Sequence, residues 1–285
     1  MNPEYLHQPL FYFFIFGIGA CIGSFLNVCI YRIPLERSIV SPGSCCAACG
    51  TPIPGKYNVP ILSWLMLRGR AACCGTKIEV RYAIVEILTA LAFTALWHDF
   101  SPAEFLAYAY FFSALLIASC IDIDHFIIPD RFTLGTCAVG LIASALVPAL
   151  HHKTGAYDGF REGLWGAFIG FATLLVVSKV GAKVFKKEAM GLGDVKFLAG
   201  MGAFLGWKAT LFIIASSSFF GSIFGVFLIL REQKSWGTRM PYGPFLAMAA
   251  LLWIFAGSDW TDAYLDSWNK ALAPVDLVAP PSPRP

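Results

Sequence analysis

The chain has 285 residues, 57% of them hydrophobic and only 14% charged, with aromatics at 15% and a formal net charge of +3. Ordinary globular chains run at roughly 45–50% apolar and about 25% charged, so no soluble core could hide this apolar surface. Disorder, collagen-like repeats and coiled coils are excluded on the same grounds, and so small a net charge does not fit a nucleic-acid binder.

A bilayer core about 30 Å thick takes roughly 20 apolar residues per helix. Leu10–Ile30 is the first such run. No basic residue precedes it and no small-residue cleavage pattern follows, so it reads as a permanent helix and not a removed signal peptide. A polar, cysteine-rich stretch of about 50 residues comes next, followed by apolar runs at Tyr82–Trp97, Glu104–Ile121, Phe132–Leu150 and Leu164–Val184. Phe197–Trp207 is too short to span alone; Leu211–Leu230 and Pro244–Gly257 complete the series, and a Pro-rich tail closes the sequence from Ala279. The pattern predicts an all-α polytopic membrane protein of about eight passes with a small cytosolic insert.

Orientation follows from Lys and Arg. With eight passes, fifteen of the 21 basic residues fall on one side, seven of them between Tyr31 and Arg81. The other side carries Glu4, Asp99, Glu104, Asp158 and Glu162 together with the acidic tail residues. The first loop is therefore expected in the cytosol and both termini outside.

Five of the nine cysteines lie in that loop: Cys45, Cys46, Cys49, Cys73 and Cys74. Cytosolic thiols stay reduced, and Cys46-x2-Cys49-Gly50 is half of a zinc knuckle. The second half, Arg70-Ala71-Ala72-Cys73-Cys74-Gly75, has Ala71 where its first cysteine belongs. Adjacent cysteines seldom both reach one metal without a strained turn. The expected ligand set is therefore Cys46, Cys49 and Cys74, with Cys73 or Cys45 as the fourth. A structural zinc clamp and a reduced thiol cluster both fit.

Membrane-edge carboxylates are costly and ask for a reason. Asp122, Asp124 and Asp130 end the third run and open the fourth; Asp194 opens the sixth, after Gly191-x-Gly193. All lie on the expected cytosolic side. Asp130, after Pro129, reads as an N-cap, and Asp124 lies about 200° around a helix from Asp122, which leaves Asp122 to face inward. Two carboxylates sharing one site can hold a proton between them, activate a water and protonate a leaving amine. Intramembrane aspartyl hydrolysis and carboxylate-coupled transport both follow from that pair, and a membrane-anchored zinc scaffold is a third class.

The assembled motifs resemble the bacterial type IV prepilin peptidases, the bifunctional leader peptidase and N-methyltransferase family of GxGD-type membrane aspartyl proteases. The resemblance runs through Gly23-Ser-Phe-Leu-Asn-Val28, Tyr31-Arg-Ile-Pro34, Cys46–Cys49, Val59-Pro-Ile-Leu-Ser-Trp64, Leu67-Arg-Gly-Arg70 and Arg81-Tyr-Ala-Ile-Val-Glu86. It continues in Asp122 through Asp130, Met190-Gly-Leu-Gly-Asp194 and Met240-Pro-Tyr-Gly-Pro244. It implies that Asp122 and Asp194 are the catalytic pair. It also implies cleavage of prepilin or pseudopilin leaders after a glycine at the cytosolic face of the bacterial inner membrane. The new N-terminus would then be methylated with S-adenosylmethionine. The resemblance matches Cys46, Cys49 and Cys74 as zinc ligands, and with Cys73 taken as the fourth the expected metal set is Cys46, Cys49, Cys73 and Cys74.

Two departures stand out: Ala71 replaces one of the family's four cysteines, and the stretch from Arg32 to Cys46 is short. A peptidase with methylation weakened or lost is the alternative they raise. The chain has no G-x-G-x-x-G methyltransferase fingerprint, so the methyl donor's place is not legible. The expected division is a first helix (1–30), a cysteine-rich loop domain (31–81), a transmembrane peptidase domain (82–257) and an extracytoplasmic tail (258–285). Asn27 reads as an interhelical hydrogen bond, and Glu86 as a substrate or donor contact or a partner of Arg81 or of another buried polar group. Glu188 reads as a cap or ion pair, and Phe11 through Phe14 as a lipid-facing belt.

Overall fold

The computed structural model describes residues 8–186, 190–232 and 240–257, together with Trp260, Ala263 and Ser267. Glu188 and nearly all of the tail lie outside the described residues. The described chain is helical, with no strand beyond two isolated bridges, Cys45 to Pro52 and Arg70 to Lys77.

Eight helices follow in order: α1 (Pro9–Arg32), α2 (Leu62–Met66), α3 (Val80–Asp99), α4 (Pro102–His125), α5 (Asp130–Leu146), α6 (Ala156–Phe185), α7 (Leu192–Glu232) and α8 (Gly243–Leu252). Helices satisfy every backbone group internally, as lipid demands. Their starts carry the usual signals. Pro lies in the first turn of α1, α4 and α8, and a reciprocal capping box links Ser101 and Glu104.

Neighbours pack with alternating direction. Gly19 faces Ala90 and Gly23 faces Glu86, so α1 and α3 run antiparallel with backbones in contact. Edge-on contacts of Phe93 with Phe112 and Trp97 with Phe105 join α3 to α4 in the same sense. Asp130 meets Lys196 and Gly140 meets Ala203, so α5 runs parallel to the first part of α7; α6 runs against it, Gly163 on Ala203 and Gly170 on Leu198. The core between them is aromatic, with Phe111 stacked on Phe204 at 4.7 Å. Outward side chains such as Phe13, Phe14 and Val176 are exposed and apolar, which fits a lipid-facing belt.

α7 is not one rod. Gly206 has φ +81°, outside any helix, and the chain folds back there. A Cβ on Gly202 would lie 2.8 Å from Thr210 Oγ1, whereas eight residues of straight helix would separate them by about 12 Å. The turn is tied from outside: Ser144 donates to the Ala203 carbonyl at 2.7 Å and meets His151 Nε2 at 2.7 Å. Burial holds His151 down at about 4, so its neutral ring donates from Nε2. After the turn, α7 runs antiparallel to α8, with Phe212 on Trp253 and Gly225 on Met240.

Five described helices, α1, α3, α4, α6 and α7, are long and apolar enough to cross a membrane. The count of eight passes is not confirmed: α5 has 17 residues, α8 is shorter still, and α7 bends back within one continuous apolar run.

Candidate active site

Asp122 sits one turn before the end of α4 and is 5% exposed. Its Oδ2 accepts a 2.8 Å hydrogen bond from the backbone N–H of Gly243, the first residue of α8. A Cβ on residue 243 would stand 2.9 Å from that oxygen, so only glycine lets the backbone come this close. Tyr242 anchors the turn, its hydroxyl 2.8 Å from Ser217 Oγ and 3.3 Å from Ser218 Oγ on α7.

Asp194 lies in the first turn of α7, half-buried, its carboxylate accepting from the Gly191 N–H. The Asp122 charge acts on it directly. The two segments converge on Ile128, which is 8% exposed. A Cβ on Gly193 would meet Ile128 Cβ at 3.4 Å, and one on Gly243 would meet Ile128 Cδ1 at 3.2 Å. Ile128 is thus seated between the turn that carries Asp194 and the α8 turn whose Gly243 N–H holds Asp122. Both glycines belong to motifs read from the sequence, Gly191-x-Gly193 and Met240-Pro-Tyr-Gly-Pro244, but Ile128 was not singled out there.

The other two carboxylates go elsewhere. Asp124 pairs with Arg81 of α3, as its place on the far side of α4 requires. Asp130 does not cap α5: Pro129 is the N-cap residue and makes no side-chain cap bond. Asp130 instead binds Lys196 at 2.8 Å and Thr133 at 3.3 Å, fastening α5 to α7 two residues past Asp194. Asn27 donates to the Tyr82 carbonyl at 2.9 Å, an interhelical bond. Glu86 does not pair with Arg81; buried in α3, it accepts at 2.7 Å from the N–H of Ile61, whose φ is +62°.

The cysteines of the first loop form one cluster. The sulfurs of Cys46, Cys49, Cys73 and Cys74 all lie within 4.8 Å of one another. Cys49–Cys73 is 3.3 Å, Cys46–Cys74 3.6 Å and Cys73–Cys74 3.8 Å. A tetrahedral zinc with bonds of about 2.3 Å separates its sulfurs by about 3.8 Å, so the donor set fits. The backbone explains how. Cys46 N–H donates to Thr51 O and Gly50 N–H to Cys46 O; Ala71 N–H donates to Thr76 O and Gly75 N–H to Ala71 O. Gly50 and Gly75 share φ +71°. The two turns are copies in which Ala71 occupies the place of Cys46 and Cys74 that of Cys49. Cys73, at the place of Ala48, fills the corner that Ala71 leaves, and no positive φ is needed at either adjacent cysteine. Cys45 stands outside the cluster. Hydrogen bonds from Thr51 hold the Cys49 thiol down at about 6, and Thr76 lowers Cys74. The hydrogen bond to Cys49 pushes Cys73 up to about 12, so in the bare cluster Cys73 keeps its proton.

Two family models cover most of the chain: the bacterial peptidase A24 N-terminal domain matches residues 17–100, and the type IV leader peptidase family matches residues 109–226. A prepilin leader peptidase/N-methyltransferase of Myxococcus xanthus is 39% identical over 96% of this chain and 80% of its own length. The chain belongs to the type IV leader peptidase family. Proteins of the same name from Aeromonas salmonicida (34% identical, 90% of this chain and 95% of theirs) and Pseudomonas putida (35%, 83% and 88%) extend the match. No solved structure matches the chain. Nothing in these likenesses supports the transport reading, and the N-terminal family model spans the whole cysteine loop together with α3 and α1 from residue 17 onward.

Proposed function

We propose that this family member is a membrane aspartyl endopeptidase that removes the leader of type IV prepilins or pseudopilins and then methylates the new N-terminus. The observation that carries the reading is that Gly193, next to Asp194, and Gly243, whose N–H holds Asp122, both pack on Ile128 and so bring the two carboxylates to one place. One carboxylate takes a proton from a water as its oxygen attacks the peptide carbonyl, and the other gives a proton to the departing amine. The Gly243 N–H keeps Asp122 Oδ2 in a fixed direction through both steps. The substrate's apolar helix lies in the bilayer while its basic leader stays in the cytosol, which suits a pair at that depth. The excess of Lys and Arg between Tyr31 and Arg81 supports a cysteine loop inside and termini outside.

The names of the relatives support S-adenosylmethionine as methyl donor. Cys46, Cys49, Cys73 and Cys74 would hold a structural zinc, clamping a loop too small to own a core. The domain division is a first helix, a cysteine-clamped loop (31–81), a peptidase domain (82–257) and a tail, with α1 packed on α3 across the first boundary.

The test is mass spectrometry of a model prepilin incubated with detergent-purified enzyme and S-adenosylmethionine, beside Asp122→Ala and Asp194→Ala. Leader loss plus the mass of one methylene, absent from both variants, is the expected result. Processing retained by either folded variant overturns the pair.

A further inference from the structure

The short helix α2 turns an apolar face outward. Leu62, Leu65 and Met66 share one side of it, by helical spacing, and are 57%, 57% and 79% exposed. Val59, just before the helix, is exposed as well. The other side is tied down. Ser63 Oγ accepts from the Val59 N–H at 3.0 Å, the Trp64 indole N–H donates to the Ile78 carbonyl at 3.4 Å, and the Trp64 ring packs on Gly69. The outward face is therefore held where it is and is not the by-product of a slack loop.

Glu86 sets its depth. That residue lies in the second turn of α3, about 9 Å from the helix start, and its carboxylate accepts from the Ile61 N–H at 2.7 Å. Side chains on a helix lean toward its N-terminus. Ile61, which leads into α2, is thereby seated alongside the first two turns of a helix long and apolar enough to cross a membrane. Val80 and Ile84 on those turns are themselves exposed and apolar. Interfacial helices bury their apolar faces roughly 5–10 Å into the boundary between headgroups and acyl chains, which is the depth at which this bond holds α2.

The charge of the loop points the same way. Between Glu36 and Glu79 the sequence has five basic residues, Arg37, Lys56, Arg68, Arg70 and Lys77, and no acidic one. A zinc ion on four thiolates carries two negative charges, so the segment stays net positive with the metal bound. Lys56 and Arg68 flank residues 59–67 on either side. A basic leader peptide is repelled by such a surface, whereas anionic phospholipid headgroups are drawn to it. We propose that α2 is an interfacial foot: Leu62, Leu65 and Met66 enter the acyl boundary of the bilayer, and Lys56, Arg68 and Arg70 take anionic phospholipid headgroups. The cysteine loop is then braced on the membrane beside α3.

The test uses the full-length protein in nanodiscs of phosphatidylglycerol or of phosphatidylcholine. Benzoylphenylalanine is installed at Met66 and, as lipid-facing reference, at the exposed Leu91 of α3; after photolysis the adducts are identified by mass spectrometry. Phospholipid adducts at both positions are expected. Adducts at Leu91 alone overturn the proposal, as does a Met66 adduct that passes from lipid to an added model prepilin. Charge is read by hydrogen exchange over residues 62–67. One basic residue near an anionic surface shifts the bound-to-free ratio about five-fold. Lys56→Gln combined with Arg68→Gln should therefore speed exchange roughly ten-fold or more in phosphatidylglycerol and leave it unchanged in phosphatidylcholine. Equal exchange by variant and wild type in phosphatidylglycerol, or the same change in both lipids, also overturns it.

Discussion

Gly243 and Asp122 are 121 positions apart, yet the N–H of one donates to the carboxylate of the other at 2.8 Å. That bond joins the start of α8 to the end of α4, and it makes the position of a buried carboxylate depend on a residue with no side chain. Gly243→Ala puts a methyl group 2.9 Å from Asp122 Oδ2, with Ile128 blocking retreat on the other side. The carboxylate must shift, and a displacement of this size costs on the order of 10²-fold in rate. The expected outcome is a fall in kcat for leader cleavage with little change in KM. Gly221→Ala, whose new Cβ meets Tyr242 at an ordinary 3.6 Å, should stay within about two-fold in the same assay.

The four aspartates should separate by role. Asp122→Ala or Asp194→Ala removes an acid–base group worth roughly 10²–10⁴ in rate, enough to erase cleavage in an end-point assay. Asp124→Ala and Asp130→Ala break exposed or partly exposed ion pairs with Arg81 and Lys196, which solvent screening leaves weak. Those two variants should cleave at near wild-type rates and melt slightly earlier in detergent. A dead Asp124→Ala enzyme would move that residue into the site.

Much of this was legible in the chain, and the reasons for the exceptions are local. Long apolar runs announce helices because lipid leaves no other choice for the backbone, and α1, α3 and α4 fall within a few residues of their expected spans. The separation of Asp122 from Asp124 followed from helical geometry, and Asn27 makes the interhelical bond expected of it. The reversal at Gly206 was hidden because the runs on either side are both apolar and glycine is common in membrane helices. Asp130 looked like a cap because Pro129 precedes it; a lysine 66 positions away outcompetes the local backbone. Ile128 and Gly243 carry no functional group, so only their tertiary placement reveals them.

Glu86 holds the α2 loop rather than a cation. Its carboxylate accepts from Ile61 N–H at 2.7 Å, beside a residue held at positive φ that needs such an anchor. Glu86→Ala should free the loop, raising proteolytic nicking between residues 56 and 70 several-fold while α1 and α3 stay packed. Glu86→Gln keeps an acceptor oxygen at the same reach and should nick at the wild-type rate. Equal nicking of all three proteins would show that the bond does not restrain the loop.

The cysteine turns allow a test by exchange. Because Ala71 occupies in the second turn the place that Cys46 occupies in the first, a cysteine at 71 should reach the corner now filled by Cys73. Cys73→Ser alone removes one of four thiolates and should release most of the zinc, read as metal per chain by elemental analysis of dialysed protein. Adding Ala71→Cys to that variant should restore the stoichiometry, while Cys45→Ser should leave it unchanged. pH sharpens the case. Cys49, held at about 6, favours the thiolate near neutrality and Thr76 lowers Cys74 in the same direction; Cys73, pushed to about 12, gives up its proton only as the ion arrives. Zinc uptake should therefore release a proton from Cys73, and the double variant, lacking that thiol, should show a different proton count. Full metal content in Cys73→Ser would mean that three cysteines and some other group suffice, and that the displaced corner is not a ligand.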